Sequence, residues 1–124
     1  MIAMRICVLL GCLAAGGCGP TPDPDASAAA IERGVAKIGA GRLDQALVDL
    51  AESVSLDPDS ARARLTYGAA LERSDRLDAP GEQYRAAARI APDDASARLH
   101  LERIDDLREL DRRIADAKSE IATR

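Results

Sequence analysis

The sequence predicts an all-α protein in which two helical hairpins stack side by side and a long C-terminal helix covers their end. Three observations predict this fold. The stretch from Gly41 to Leu65 recurs without a gap from Asp75 to Leu99, and each copy contains a closing proline, Pro58 or Pro92. After Leu99 the chain contains neither glycine nor proline, which is typical of one uninterrupted helix. A repeat of about 34 residues is typical of helix–turn–helix units that cannot bury their apolar face alone and therefore stack.

The N-terminal segment carries a targeting pattern. Arg5 supplies a positive charge, and an apolar run without charges follows from Ile6 to Gly17. This run is shorter than the roughly 20 residues that a membrane-spanning helix needs. A positive start, a short apolar stretch and an exit of small residues are the marks of a signal peptide. We therefore expect residues 1–17 to be a signal peptide.

The exit of this segment, Ala15-Gly16-Gly17-Cys18, resembles the lipobox of bacterial lipoproteins. The resemblance implies cleavage before Cys18 and a lipid on its sulfur, with two or three fatty acyl chains such as palmitate that anchor the protein in a membrane. Gly19 after the cysteine implies the outer membrane, facing the periplasm, where the source has two membranes. Two alternatives remain: lipidation at Cys12, whose preceding leucines fit the pattern better, and ordinary secretion with cleavage near Ala15.

The sequence predicts a tether over residues 18–26. Prolines occupy alternate positions at Pro20, Pro22 and Pro24, with aspartates between and after them. Such spacing cannot continue a helix and favours an extended, stiff chain. We therefore expect the folded part to begin at Ser27 and to stand a short distance from the membrane.

The repeat covers residues 27–94, as units 27–60 and 61–94. Identical residues recur at the same offset, namely Arg42-Leu43-Asp44 with Arg76-Leu77-Asp78, Pro58-Asp59 with Pro92-Asp93, Ala61 with Ala95, and Ala63-Arg64-Leu65 with Ala97-Arg98-Leu99. Gly34 likewise corresponds to Gly68, and Leu50 corresponds to Tyr84. Each closing proline ends a second helix, because the residue before a proline resists the α region.

These features resemble the tetratricopeptide repeat, a helix–turn–helix unit of the same length with small residues at fixed positions and a closing proline. Tyr67-Gly68, Tyr84, Ala87 and Pro92 carry the resemblance in the second unit. It implies a right-handed superhelical stack in which the first helix of each unit lines a concave groove. Arg33 and Lys37 depart from the pattern, which has apolar residues there. Pro80 also departs, so we expect the fourth helix to start at Pro80.

Residues 95–124 begin a third unit and run into one long helix. Its apolar residues are spaced alternately by three and four, at Leu107, Leu110, Ile114, Ala117 and Ile121. A capping helix with a polar outer face explains this pattern, since terminal repeats need one. A second interpretation is a homodimer through this helix.

The resemblance places the partner-binding residues on the groove side of the first helices. We expect a peptide or another envelope protein to bind there. The predicted residues are Ile31, Val35, Ile38, Arg62, Leu65, Ala69, Glu72, Arg73, Leu99 and Arg103. An alternative is that Ile31 to Ile38 simply complete the core.

Composition and motifs argue against several other functions. The net charge of −4 offers no basic field for nucleic acid. His100 is the only histidine, and the mature chain keeps one cysteine, so we expect no metal site, cofactor or catalytic residue.

The expected function is therefore that of a non-catalytic, membrane-tethered scaffold or adaptor of the bacterial cell envelope. One alternative is a permanent subunit of a secretion, pilus or outer-membrane assembly complex. Another is a regulator of a cell-wall enzyme.

Overall fold

The computed structural model describes residues 20–74 and 78–124, which form five helices. They are α1 (Pro24–Gly39), α2 (Leu43–Leu56), α3 (Ala61–Arg73), α4 (Asp78–Ile90) and α5 (Ala95–Ala122). The described ranges contain no strand, which confirms the predicted all-α class and the long C-terminal helix. The predicted signal peptide and Cys18 lie outside the described residues. Among the helices described, none has the length and apolar character to cross a membrane.

Helix α1 begins earlier than expected, inside the predicted tether. Pro24 is its first residue, where a proline loses no helical hydrogen bond. The Asp23 side chain caps the helix by accepting a hydrogen bond from the Ala26 backbone N–H at 2.9 Å. The Asp23 N–H also donates to the Leu56 carbonyl at 2.8 Å, which fastens this end of α1 to the end of α2. The predicted tether therefore overlaps the helix, which begins directly after Asp23.

Helix α4 begins at Asp78, ahead of the predicted start at Pro80. The third position of a helix still lies in its first turn, whose N–H groups have no intrahelical partner. Pro80 therefore breaks no helical bond, and its ring is fully buried. Helix α3 follows ordinary capping, with the Ser60 hydroxyl accepting from the Ala63 N–H at 3.1 Å.

The helices pack in chain order as two hairpins. Helix α1 packs mainly on α2, and α3 packs mainly on α4. Contacts between α2 and α3 join the hairpins, α1 also touches α3, and α5 packs against α4. The short connections require neighbouring helices to run antiparallel. The first helices of the two hairpins therefore lie next to each other on one side.

The same contact recurs in each hairpin: a glycine on the first helix packs against a large residue on the second helix. A β-carbon placed on Gly34 would lie 2.7 Å from Cγ of Leu50, and one on Gly68 would lie 2.7 Å from Cε1 of Tyr84. Leu50 and Tyr84 are both fully buried. The two pairs stand at the offset of the sequence repeat, so the internal repeat of the sequence is also a repeat of the packing.

The first hairpin uses ion pairs where the resemblance led us to expect apolar contacts. Lys37 Nζ lies 2.5 Å from Oδ2 of Asp49, and Arg33 Nη2 lies 3.0 Å from Oε2 of Glu52. The Lys37 hydrogen bond, with help from Arg33, holds the pKa of Asp49 below its usual range despite burial. In the second hairpin the residue equivalent to Lys37 is the buried Leu71. The two basic departures on α1 are therefore compensated by acidic side chains on α2.

Helix α5 is buried only in its first half. Ala97 and Ile104 are buried, whereas every residue from Glu109 to the end is exposed. Position 102, which is equivalent to Gly34 and Gly68, carries an exposed glutamate. A side chain of this size leaves no room for the close helix approach that the two glycines permit.

Candidate functional site: a surface across α1, α3 and α5

The candidate site is the exposed side of α1, α3 and the first half of α5, which we call the front face. Two contacts place these helices side by side. Arg62 Nη2 lies 2.7 Å from Oε1 of Glu32, which joins α3 to α1. Arg103 on α5 forms an ion pair with Glu72 on α3. The front face therefore runs across three consecutive first helices.

The predicted groove residues are divided by their burial. Val35 and Leu99 are exposed by 47% and 64%, which leaves both side chains accessible to a partner. Leu65 and Ala69 are half-buried between them. Three exposed arginines complete this part of the face, namely Arg62, Arg73 and Arg103. The structure thus gathers these seven residues and Glu72 on one face.

Ile31 does not line this face. It is only 2% exposed and packs in the core of the first hairpin. Ile38 is half-buried near the end of α1. Ile31 corresponds to Leu65 and Leu99 at the offset of the sequence repeat, and this correspondence placed it in the predicted groove. Ile31 therefore belongs to the core, whereas Val35, which the alternative interpretation also assigned to the core, is exposed.

A polar cluster connects α3, α4 and α5 at one end of the front face. The Tyr84 hydroxyl donates a hydrogen bond to Oε1 of Glu72, and Arg103 donates to Oε2 of the same carboxylate. His100 Nδ1 lies 3.2 Å from Oε1 of Glu72. The rings of Tyr84 and His100 stack with their centroids 4.5 Å apart. One carboxylate therefore holds three helices together.

This cluster was not predicted from the sequence. The repeat offset sets Glu72 opposite Asp106, another acid, and sets Arg103 opposite Ala69. The structure pairs Glu72 with Arg103, because opposite charges attract and the long arginine side chain reaches across one helical turn. A signal was present in the sequence: His100 and Arg103 stand three positions apart, so both lie on one side of the predicted helix, where they are able to meet the same acid.

The electrostatics of the cluster fix its protonation. Burial by itself would raise the pKa of Glu72, but the hydrogen bonds from Tyr84 and Arg103 and the nearby positive charge outweigh it and hold the pKa below its usual range. Burial, together with the Glu72 hydrogen bond, raises the pKa of Tyr84. Tyr84 is therefore neutral and Glu72 ionised, an arrangement that ties helices together and positions Arg103 on the front face.

The stability of the domain should fall on acidification in a way that depends on Glu72. A carboxyl group with a lowered folded-state pKa stabilises the fold above its unfolded pKa of about 4.5, and this contribution is lost as the pH falls through the folded value. We expect Glu72→Gln to cost about 1–2 kcal/mol at pH 7. The cost should shrink toward pH 3, as measured by urea unfolding at several pH values. An equal cost at every pH would contradict this assignment, and Glu52→Gln on the exposed side of the first hairpin is the matched control.

A shallow depression between α3 and α4 was not predicted. Its lining residues are Pro58, Asp59, Arg64, Ala86, Arg89 and Ile90. Arg64 is held within it by hydrogen bonds to the Pro58 carbonyl at 3.3 Å and to Gln83 at 3.0 Å. These partners occupy donors of the Arg64 guanidinium.

The front face combines the exposed apolar side chains of Val35 and Leu99 with exposed arginines. In the ranges 20–74 and 78–124, no three potential metal ligands converge. No protein-family model matches the chain, and no curated protein matches it either.

Proposed function

We propose that this protein is a non-catalytic scaffold or adaptor of the bacterial cell envelope, tethered to a membrane by a lipid on Cys18, that binds another envelope protein through its front face. The observation that carries the proposal is the exposure of Val35 and Leu99 on a face that three helices build. The helical resemblance and the N-terminal pattern of the sequence add the tethered setting.

The shape of the surface favours a peptide or helix as the bound segment. Neighbouring first helices form parallel ridges, and Leu65 and Ala69 lie in the middle one, between the exposed Val35 and Leu99. A segment with apolar residues at helical spacing would cover these side chains, and acidic residues at its edges would meet Arg62 and Arg73. The expected partner is therefore an amphipathic segment with acidic flanks.

The tether restricts where that partner can be. Asp23 is bonded to the end of α2, so only the residues between Cys18 and Asp23 separate the lipid from the fold. A segment of this length reaches at most about 17 Å when fully extended. A lipid on Cys18 would hold the front face close to the membrane surface, and the partner is expected to lie at the same surface.

Site-specific photo-crosslinking in bacterial cells tests this proposal. A photoreactive residue at Val35 or Leu99 of the full chain should capture the same partner in each case. The control position is Val48 on α2, which is 69% exposed but lies outside the front face. Capture from Val48 alone, or no capture from either front-face position, would refute the binding role of the front face.

The same cells test the tether. Cys18→Ser should abolish labelling by radioactive palmitate and reduce the captured partner, whereas Cys12→Ser should leave both unchanged. If palmitate labelling is lost in Cys12→Ser instead, the lipid is attached to Cys12. If the wild-type protein is not labelled at all, the membrane attachment in the proposal is wrong. If almost all of the protein is recovered bound to its partner, the result favours a permanent subunit of a complex over a transient adaptor.

A further inference from the structure

The exposed half of α5 carries an apolar seam for which the described hairpins provide no covering element. The seam is formed by Leu107, Leu110, Ile114, Ala117 and Ile121. Its four large side chains are exposed by 40% to 75%. The ion pairs of this half are local to α5, such as Glu109 with Arg112 and Glu120 with Arg124. No described residue of the two hairpins is in a position to cover the seam.

An isolated helical segment of this length has little stability of its own in water. From Glu109 to Ala122 the helix is exposed along its whole length, and isolated helices shorter than about 12–15 residues are marginal. The seam's spacing of three and four positions recurs every heptad, which is the pattern of a two-helix seam. Packing this seam against a second helix would bury the apolar side chains and stabilise the segment.

The charges beside the seam identify that second helix. One flank carries Asp111 and Lys118, and the other carries Asp106, Arg113 and Glu120. Each flank therefore contains both signs, at positions one heptad apart. Such a surface is complementary to itself when one copy is turned end to end against the other.

The direction of pairing follows from the same charges. In a parallel pair, a residue on one flank faces the next residue along the other flank of the second copy. Asp106 would then meet Asp111 of the second copy, and Arg113 would meet its Lys118. Both contacts join like charges. In an antiparallel pair each flank faces its own counterpart, so Asp111 meets Lys118 and, in the same register, Arg113 meets Glu120. We propose that the protein forms an antiparallel homodimer through the α5 seam.

Sedimentation of the full chain in a neutral detergent, with micelles in excess over protein, tests the dimer. The wild type should be a reversible dimer, and Leu110→Glu should weaken association at least a hundredfold. Because Leu110 is exposed and remote from the hairpins, this variant should keep its helical circular dichroism. A wild-type protein that stays monomeric up to about 200 µM would overturn the proposal.

Charge reversals test the direction. In the antiparallel dimer, Lys118→Glu sets two acids against each other and should weaken association about tenfold. In a parallel dimer it would remove a repulsion from Arg113 and strengthen association. The double variant Asp111→Lys with Lys118→Glu should restore the antiparallel dimer to about the wild-type affinity. Ser119→Glu, on the opposite side of α5, is the matched control and should change association by less than about twofold.

Each result decides the proposal. Stronger association of the Lys118→Glu variant, or failure of the double variant to recover, would overturn the antiparallel arrangement. Equal weakening by Ser119→Glu would show that total charge, rather than the flanks of the seam, governs association. Loss of the dimer would leave the crosslinking result at the front face unaffected, so the two proposals fail separately.

Discussion

Replacing Tyr84 by alanine should destabilise the domain by about 3–5 kcal/mol, which is the usual cost of deleting a buried aromatic side chain. Tyr84 is the largest fully buried side chain in the described residues, and the chain has no phenylalanine or tryptophan. Much of the remaining core is alanine, so little neighbouring volume is able to collapse into the cavity. Urea unfolding followed by circular dichroism measures the loss. Since small domains are only marginally stable, the variant is expected to be largely unfolded at physiological temperature.

Tyr84→Phe separates the ring from its hydroxyl. This variant keeps the packing against Gly68 and loses only the hydrogen bond to Glu72, so we expect a cost of about 1 kcal/mol. The cost should be smaller in a Glu72→Gln background, because the neutral amide oxygen is a weaker acceptor for the Tyr84 hydroxyl than the carboxylate. If Tyr84→Phe proves as damaging as Tyr84→Ala, the hydrogen bond would outweigh the packing and our account of this core would be wrong.

Alanine at Gly68 should cost about 1–3 kcal/mol, because its β-carbon would lie 2.7 Å from Cε1 and 3.0 Å from Cζ of the Tyr84 ring. The ring is buried and rigid, so α3 and α4 have to separate to admit the methyl group. Gly34→Ala should be destabilising for the same reason, since Leu50 Cγ would lie 2.7 Å away. The leucine side chain rotates more easily than the ring, so the smaller loss is expected there. Thermal or urea unfolding gives both values.

Gly39→Ala is the matched control for both variants. Gly39 is the last residue of α1, and a β-carbon there would meet nothing within 4 Å. Alanine is a better helix former than glycine by about 1 kcal/mol, so this change should be neutral or stabilising. If all three substitutions raise the unfolding midpoint, helix propensity would dominate and the close approach of the helices at Gly34 and Gly68 would not limit stability.

Most of the fold was predicted from local sequence patterns. The repeated glycines, the small residues of the second helices and the prolines at their ends predicted two hairpins, and the structure places Gly34 and Gly68 against Leu50 and Tyr84. The long C-terminal helix followed from the absence of any breaking residue. The misplaced starts of α1 and α4 share one cause: Pro24 and Pro80 were expected to break a helix or delay its start, but the first turn tolerates a proline.

The candidate site was less predictable, because its residues belong to helices far apart in sequence. The repeat offset placed Leu65, Leu99 and Val35 on the groove side and also placed Ile31 there. Burial of Ile31 depends on packing between helices, which no local pattern encodes. The meeting of Glu72 with Arg103 and Tyr84 depends on the rotation of α3, α4 and α5 about their axes. A constant repeat offset does not specify that rotation closely enough to choose partners.

Local sequence was sufficient to specify where helices form, which of their residues are small enough for close packing, and the heptad seam on α5. These properties depend on neighbours within a few positions along the chain, where backbone preference and periodicity act directly. Packing between helices was needed to establish that Lys37 neutralises Asp49, that Ile31 is buried, and that Glu72 joins three helices. Those outcomes depend on side-chain reach and on burial between helices, which arise only after the hairpins have packed.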